Sequence, residues 1–506
     1  MNAMAKLIMV QGTSSNVGKS ILVTALCRIF KQDGYKVAPF KSQNMALNAF
    51  VTQEGGEIGR AQAVQAEACG IAPSVDMNPI LMKPEADSKS QIVVNGKVDR
   101  TISAREYYEY APLLLDTALA ALNRLREQND IVVIEGAGSP AEINLRQREI
   151  VNMRIAKTAG APVLLAGDID RGGVFASLIG TIDLLEPEER GYVKGYLINK
   201  FRGDASLLKP AIDVLEDRTS IPVLGIIPYL RNMAIAQEDS VYLDECKSGL
   251  GETDLDIAVI RLPRISNYDD FDALATDGAS VRFVSKTGEI GNPDLIIIPG
   301  TKSTIPDMEY LWQNGLAETI IKKAGKGTHV LGVCGGYQIL GKMIYDPHKT
   351  ESETTELKGL GLLDTETTFE KEKSTTQVSG QVRFNNGLLA DMAGCEVGGY
   401  EIHMGRTRLF TAQPAFQITK TPKGPADYLD GASNAEGTVL GTYIHGIFES
   451  DSFRRGFLNA IRRYKGIPER QAGYFDRDKE YDKLADIVRA SIDMNKIYDI
   501  LNEGIR

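Results

Sequence analysis

Cysteine and histidine are both scarce in this chain, with five of the first and four of the second among 506 residues. The cysteines, at 27, 69, 246, 334 and 395, are odd in number and lack short paired spacing. That excludes a disulfide framework or a zinc cluster and fits a reducing, cytoplasmic setting. Apolar runs are short, and none is long enough to span a bilayer, so no membrane segment is expected. Positive charge is in deficit, with 57 Lys and Arg against 67 Asp and Glu for a net charge of −10. A general nucleic-acid binder needs a basic face, so nucleic acid is not an expected partner. An acidic small substrate stays compatible, because local lysines and arginines decide that. Internal repeats and low-complexity tracts are also missing.

The length exceeds one ordinary core, which sets two or three domains as the expectation. Apolar content of 43% and charged content of 25% describe a globular protein in water. Residues 1–3 precede a second methionine, Met4, and lie outside the fold argument. The apolar stretch after them is cut short by a glycine-rich loop and has no small-residue cleavage site, so it reads as strand plus loop rather than signal peptide.

From 4 to 230, apolar runs at 7–10, 37–40, 131–134, 163–166, 195–198 and 223–227 alternate with amphipathic stretches such as 20–32, 104–128 and 150–158. Apolar strands alternating with helices predict a parallel sheet covered on both faces. Residues 231–253 break that rhythm and are expected to be a linker. A second α/β pattern over 254–450 has strands at 255–261, 295–299, 329–333 and 438–445. Between them, 364–377 is polar and threonine-rich, which suggests a solvated edge strand or loop. The tail, 451–506, reads as an extension of charged amphipathic helices.

Residues 12–20, G-T-S-S-N-V-G-K-S, follow the first apolar run. Glycines let backbone N–H groups turn onto phosphate oxygens, a lysine supplies charge to the β/γ-phosphates, and the next hydroxyl ligates Mg²⁺. Gly18, Lys19 and Ser20 fit those roles, with Thr13 and Asn16 in the same loop. The usual first glycine would fall at Thr13 and sits one place earlier, at Gly12. A turn that is merely glycine-rich is the alternative, and strand before with helix after favours phosphate. Mg²⁺ needs further oxygen ligands. Glu135, followed by G-A-G, ends a buried strand at the carboxyl edge, where open α/β sheets bind ligands. Lys41 ends another strand at that edge and suits a transferring phosphoryl group or a substrate carboxylate, unless it is an ordinary surface lysine. Glu57 and Asp168 are further carboxylates with weaker claims.

The motifs G-T-S-S-N-V-G-K-S, P-F-K-S-Q-N-M, E-G-A-G-S-P-A-E-I-N-L and G-D-I-D-R-G-G-V-F-A resemble those of the cobyric acid synthase family, kin of dethiobiotin synthetase. The shifted first glycine is a habit of that kinship. The resemblance implies ATP-dependent activation of a carboxylate as an acyl phosphate, with Lys41 at the phosphoryl acceptor and Asn199 reading adenine. It also implies Glu57 as a second metal carboxylate.

At 332–336 stands G-V-C-G-G. A nucleophile on a sharp strand-to-helix turn is exposed beside N–H groups that can hold an oxyanion, and the helix start favours its thiolate. Cys334 fits, since a cysteine serving only to fill a core needs no such glycines. Its acid–base partner must come from the four histidines. His445 ends an apolar run before Gly446, His403 is the runner-up, His348 lies in a polar loop, and His329 opens the elbow strand at its far end.

Residues from about 255 to 450 resemble a class I glutamine amidotransferase domain. The resemblance implies Cys334 as nucleophile, His445 as its histidine, and the loop P-G-T-K-S-T at 299–304 as the oxyanion loop, with Thr301 and Gly335 as donors. Many members carry glutamate two residues after the histidine, where this chain has Ile447. Glu449 or a backbone carbonyl would then orient the imidazole, or a Cys–His dyad suffices.

The combined expectation is an N-terminal P-loop parallel-sheet domain of dethiobiotin synthetase type, joined to a class I amidotransferase domain. ATP and Mg²⁺ are the implied cofactors, and glutamine and a corrinoid acid the implied substrates, with the b, d, e and g carboxylates amidated. Asp168 and Arg171, in D-I-D-R-G-G, are candidates to face the corrinoid. The rivals are the sister a,c-diamide synthase, a nucleotide-switched binding protein and a dead glutaminase fed by free ammonia. Assembly into a homo-oligomer stays open.

Overall fold

The computed structural model describes residues 4–85, 89–230, 233, 235, 253–471 and 476–505. The linker expected at 231–253 lies almost wholly outside the described residues, as does Cys246. The chain forms two compact units: one from Met1–Ala46, Glu57–Asp239 and Asp476–Arg506, the other from Leu47–Gly56 and Ser240–Phe475, each in its described residues. No helix among those residues is long and apolar enough to cross a membrane.

The first unit is built on six parallel strands in the spatial order Val223–Pro228, Val193–Phe201, Val163–Asp168, Lys6–Gly12, Ile131–Glu135, Val37–Phe40. Their sequences show why. Ile131–Glu135 (I-V-V-I-E) and Val163–Asp168 (V-L-L-A-G-D) are buried at every position, as strands covered on both faces must be. The first strand in the chain lies centrally, between partners reached in opposite directions, so its carboxyl end is a switch point where ligands bind. The helix Lys19–Gln32 starts there.

The 104–128 stretch is two helices, Ala104–Tyr110 and Leu115–Gln128, because Pro112 forces a short turn between them. A four-stranded sheet of Gln43–Met45, Ile80–Pro84, Lys89–Val94 and Lys97–Ser103 has no counterpart in the apolar pattern. Its outermost strand is almost entirely exposed and so carries no apolar alternation.

The second unit has a sheet ordered Ala279–Val284, Leu255–Ile260, Leu295–Ile298, His329–Val333, Val439–Thr442, Ala432–Ser433, parallel except at the last pair. The threonine-rich segment is neither a loop nor a simple edge. It belongs to the strand Thr365–Val382, which pairs along most of its length with Glu396–Leu409 and at its ends with Met343–Tyr345 and Phe416–Thr421. Threonine is β-branched and favours strand, while the exposed centre of the segment hides that preference from a reading of polarity. The tail divides: Asp451–Lys465 packs in the second unit, while Arg477–Ser491 and Met494–Glu503 belong to the first. There Arg28 ties to Asp478 and Asp482, both at 2.7 Å.

Candidate active sites

In the first unit, the loop after Gly12 turns through Asn16 (φ 61°) and Gly18 (φ 99°), both left-handed. A Cβ at Gly18 would fall 2.2 Å from the Asn199 amide nitrogen, so only glycine fits. Asn199 donates to the Val17 carbonyl at 2.7 Å, bracing the loop from the neighbouring strand. The Thr13 N–H is engaged by the Ala166 carbonyl at 2.9 Å. Lys19 reaches the carbonyls of Ser14 (2.9 Å) and Gly138 (3.1 Å), joining the loop to the turn after Glu135.

Glu135 is where the predicted residues converge. Ser20 Oγ donates to its Oε1 at 2.8 Å, Lys41 Nζ to the same oxygen at 2.9 Å, and Gln65 to Oε2 at 2.5 Å. Burial works against the carboxylate charge, but Lys41, Gln65 and Ser20 outweigh it and hold the carboxyl below its usual range. Two hard oxygen donors side by side, one of them ionised, suit a divalent cation. Gln65 is a contributor that sequence reading missed, and no signal beyond its place on the helix Arg60–Cys69 pointed to it. Glu57 is buried and ion-paired with Lys83. Asp168 is held by Lys200 at 3.0 Å, and Lys200 also donates to the Asn16 carbonyl at 2.7 Å, so this pair supports the phosphate loop. Arg171 lies 3.8 Å from Asp168, with its side chain largely exposed.

In the second unit, Cys334 sits at φ 52°, ψ −108°, a backbone conformation costly for any residue with a Cβ. The elbow packs backbone on backbone: a Cβ at Gly336 would lie 1.9 Å from the Ile298 carbonyl oxygen. A Cβ at Gly335 would lie 2.6 Å from Thr301 Cγ2 and 3.2 Å from its backbone nitrogen, so the elbow and the 299–304 loop abut. Thr301 Oγ1 donates to Asp307 at 2.5 Å, and burial pushes the Asp307 carboxyl up to about 6 against the pull of Thr301 and Arg264.

His445 lies close enough to Cys334 for the two side chains to interact. Its Nδ1 meets Asp270 Oδ2 at 2.6 Å, and the Gly446 N–H donates to Asp270 Oδ1 at 2.9 Å. Burial alone would lower its pKa, but the Asp270 carboxylate, with Cys334 alongside, raises it to about 10. The group facing Nδ1 is thus Asp270, and neither Glu449 nor a carbonyl is needed to orient the ring. The runner-up, His403, is stacked on Tyr443 at 3.8 Å and bonded to the Gly405 carbonyl. His329 is buried against Tyr464 at the far end of the elbow strand, and His348 is exposed.

Both parts of the chain have counterparts among known proteins. Residues 8–241 match the CobQ/CobB/MinD/ParA nucleotide binding domain, and residues 256–453 the CobB/CobQ-like glutamine amidotransferase domain. A cobyric acid synthase of Dehalococcoides mccartyi (strain ATCC BAA-2100) is 93% identical over 503 residues, covering 99% of this chain and 100% of that one. Those of Sorangium cellulosum (53%, covering 96% of each chain) and Thermoanaerobacter sp. strain X514 (52%, covering 98% of this chain and 99% of that one) extend the likeness. The chain belongs to the cobyric acid synthase family. As a member of the cobyric acid synthases it is a glutamine amidotransferase with a nucleotide-binding domain. In this chain Asp270 pairs with His445, while the position two residues after the histidine carries Ile447.

Proposed function

We propose that the chain uses ATP to activate the b, d, e and g carboxylates of (adenosyl)cobyrinic acid a,c-diamide and amidates them with ammonia from glutamine, giving cobyric acid in cobalamin biosynthesis. The observation that carries this reading is that one chain holds a cysteine beside a buried His445–Asp270 pair and a phosphate loop whose Ser20 meets Lys41 on Glu135.

In the second unit, Cys334 Sγ attacks the side-chain amide carbon of glutamine, and N–H groups of Gly335 and Thr301 hold the oxyanion. The His445 imidazolium, favoured by Asp270, gives its proton to the departing ammonia. Water then cleaves the thioester and releases glutamate. In the first unit, Lys19 and the loop amides around Asn16 and Gly18 cradle the ATP phosphates, with Thr13 anchoring the start of the loop through Ala166. Asn199 borders the adenine. Lys41 meets the γ-phosphoryl group as it passes to the substrate carboxylate, and ammonia displaces phosphate from the acyl phosphate.

Ser20 and Glu135 would hold Mg²⁺, with Glu57 as a further carboxylate, and the ion would neutralise phosphate charge. Among the described residues no group of three His, Cys, Asp or Glu side chains could hold a metal alone. Phosphate oxygens and water would complete its shell. Asp168 and Arg171 border the corrinoid, and the enzyme works in the cytoplasm.

The test is incubation with ATP, glutamine and either cobyrinic acid or its a,c-diamide, followed by mass analysis of the corrinoid. Successive amide gains on the a,c-diamide are expected. Gain only on the unamidated acid, at positions a and c, would make the chain the sister synthase.

A further inference from the structure

The second unit contains a short stretch from far upstream in the chain. Leu47–Gly56 is grouped with the amidotransferase residues, although Ala46 and Glu57 on either side of it are grouped with the nucleotide-binding ones. It continues the run K-S-Q-N-M-A-L-N-A-F that begins at Lys41. Within the second unit this strap is bonded to both elements that place His445.

One element is the turn Tyr268–Phe271, which carries Asp270. Its N-cap, Asn267, adopts a left-handed φ of 52°. Asn48 Oδ1 accepts from the Asn267 N–H at 2.7 Å, and Asn267 Oδ1 accepts from the Ala49 N–H at 3.0 Å. The other element is Tyr400. Its ring stacks on the His445 imidazole, with centroids 5.4 Å apart and planes 19° apart. The two residues also exchange backbone hydrogen bonds, His445 N–H to Tyr400 O at 2.9 Å and Tyr400 N–H to His445 O at 3.1 Å. The Tyr400 hydroxyl donates to the Ala49 carbonyl and accepts from Asn267 Nδ2, both at 2.9 Å. Phe50 packs on the Tyr400 ring at 5.4 Å, and Gln377 holds the Val51 carbonyl at 2.9 Å. Asn48, Ala49, Asn267 and Tyr400 are all at most 5% exposed, so these bonds form away from competing water.

From this closed ring we infer that Asn48, Asn267 and Tyr400 are positioning residues of the glutaminase: the strap fixes the imidazole through the Tyr400 ring and its Asp270 partner through the Asn267 cap. An imidazole that must align with both Cys334 Sγ and a departing nitrogen tolerates little tilt, and misplacement by about 1 Å costs about 100-fold in rate. The inference rests on Cys334 and His445 serving as the glutaminase pair.

The experiment uses the full chain and compares wild type with Asn48→Ala, Asn48→Asp and Tyr400→Phe. Asn48→Asp keeps the acceptor for the Asn267 N–H, while the Asn48 Nδ2 it removes has no hydrogen-bond partner among the described residues. Three readouts are taken: kcat and KM for glutamine, the pH profile of Cys334 alkylation by iodoacetamide, and amidation of the a,c-diamide driven by ammonium chloride without glutamine. Asn48→Ala and Tyr400→Phe should lose about 10- to 100-fold in glutamine-dependent kcat, with KM changed less than about twofold. Their alkylation profile should shift, their ammonium-driven amidation should stay at the wild-type rate, and Asn48→Asp should recover most of the loss.

Wild-type kcat and alkylation profiles in Asn48→Ala and Tyr400→Phe would overturn the inference and leave the proposed function standing. So would an equal fall in ammonium-driven amidation, which would mark general unfolding. Wild-type protein that releases no glutamate from glutamine, even with ATP and the a,c-diamide present, would overturn both.

Discussion

Asp270 meets His445 Nδ1 at 2.6 Å across 175 residues of chain. Its second oxygen takes the Gly446 N–H, so the carboxylate is fixed at both ends and cannot rotate away from the ring. That geometry commits Nδ1 to carrying a proton and turns Nε2 toward the thiol side.

Asp270→Asn is therefore expected to lower glutamine-dependent turnover about 1000-fold, because the amide tolerates or stabilises the wrong imidazole tautomer. The KM for glutamine should change little, and amidation driven by ammonium chloride should keep its wild-type rate. Steady-state kinetics with the two nitrogen sources check this.

The same pair sets a pH dependence. His445 is raised from 6.5 to about 10, so the folded protein binds this proton more tightly than the unfolded chain. The ion pair then stabilises the second unit fully below about pH 6.5, and that contribution fades as pH climbs through about 10. The difference in melting temperature between wild type and Asp270→Asn should be largest at about pH 6 and shrink as pH rises toward 10, as read by thermal unfolding across pH.

At the phosphate loop, Glu135→Gln removes the carboxylate charge that Lys41 meets and the ionised oxygen beside Ser20. ADP release in the presence of the a,c-diamide and glutamine should fall about 100- to 1000-fold. Alkylation of Cys334 by iodoacetamide should be unaffected, since that chemistry sits in the other unit.

Stability downstream of His445 depends on a buried guanidinium. Arg454 is 1% exposed, with Nε on Asp277 at 2.7 Å and Nη1 on the Phe448 carbonyl at 2.8 Å. Arg454→Met keeps the volume but strands Asp277, which is itself buried, and should cost about 3–5 kcal/mol in denaturant unfolding. Arg454→Met combined with Asp277→Asn should recover part of that loss.

The sheet strands were legible because each is an aliphatic run hidden on both faces. Ile131–Glu135 and His329–Val333 needed nothing but their own residues to be read. Cys334 and the phosphate loop were legible for a related reason, since glycine spacing is local and dictated by close backbone approach.

Asp270 was not. It lies in N-Y-D-D-F-D among several carboxylates, and only the three-dimensional return of the chain selects one of them. The split tail was equally hidden. Asp451–Lys465 and Arg477–Ser491 are both charged amphipathic helices, and nothing in an amphipathic face says which core will cover it. Asn199 has a contact that its motif did not foretell, bracing the Val17 carbonyl in the phosphate loop.

The central claim is that nitrogen freed at Cys334 is consumed where ATP is cleaved. The direct measurement supplies glutamine labelled at its amide nitrogen, with ATP, Mg²⁺ and the a,c-diamide, and follows label in the corrinoid alongside ADP. Label should enter the corrinoid in step with ADP release, and Cys334→Ala should abolish its entry while unlabelled ammonium still supports amidation. Glutamate and ADP accumulating with no labelled nitrogen in the corrinoid would contradict it.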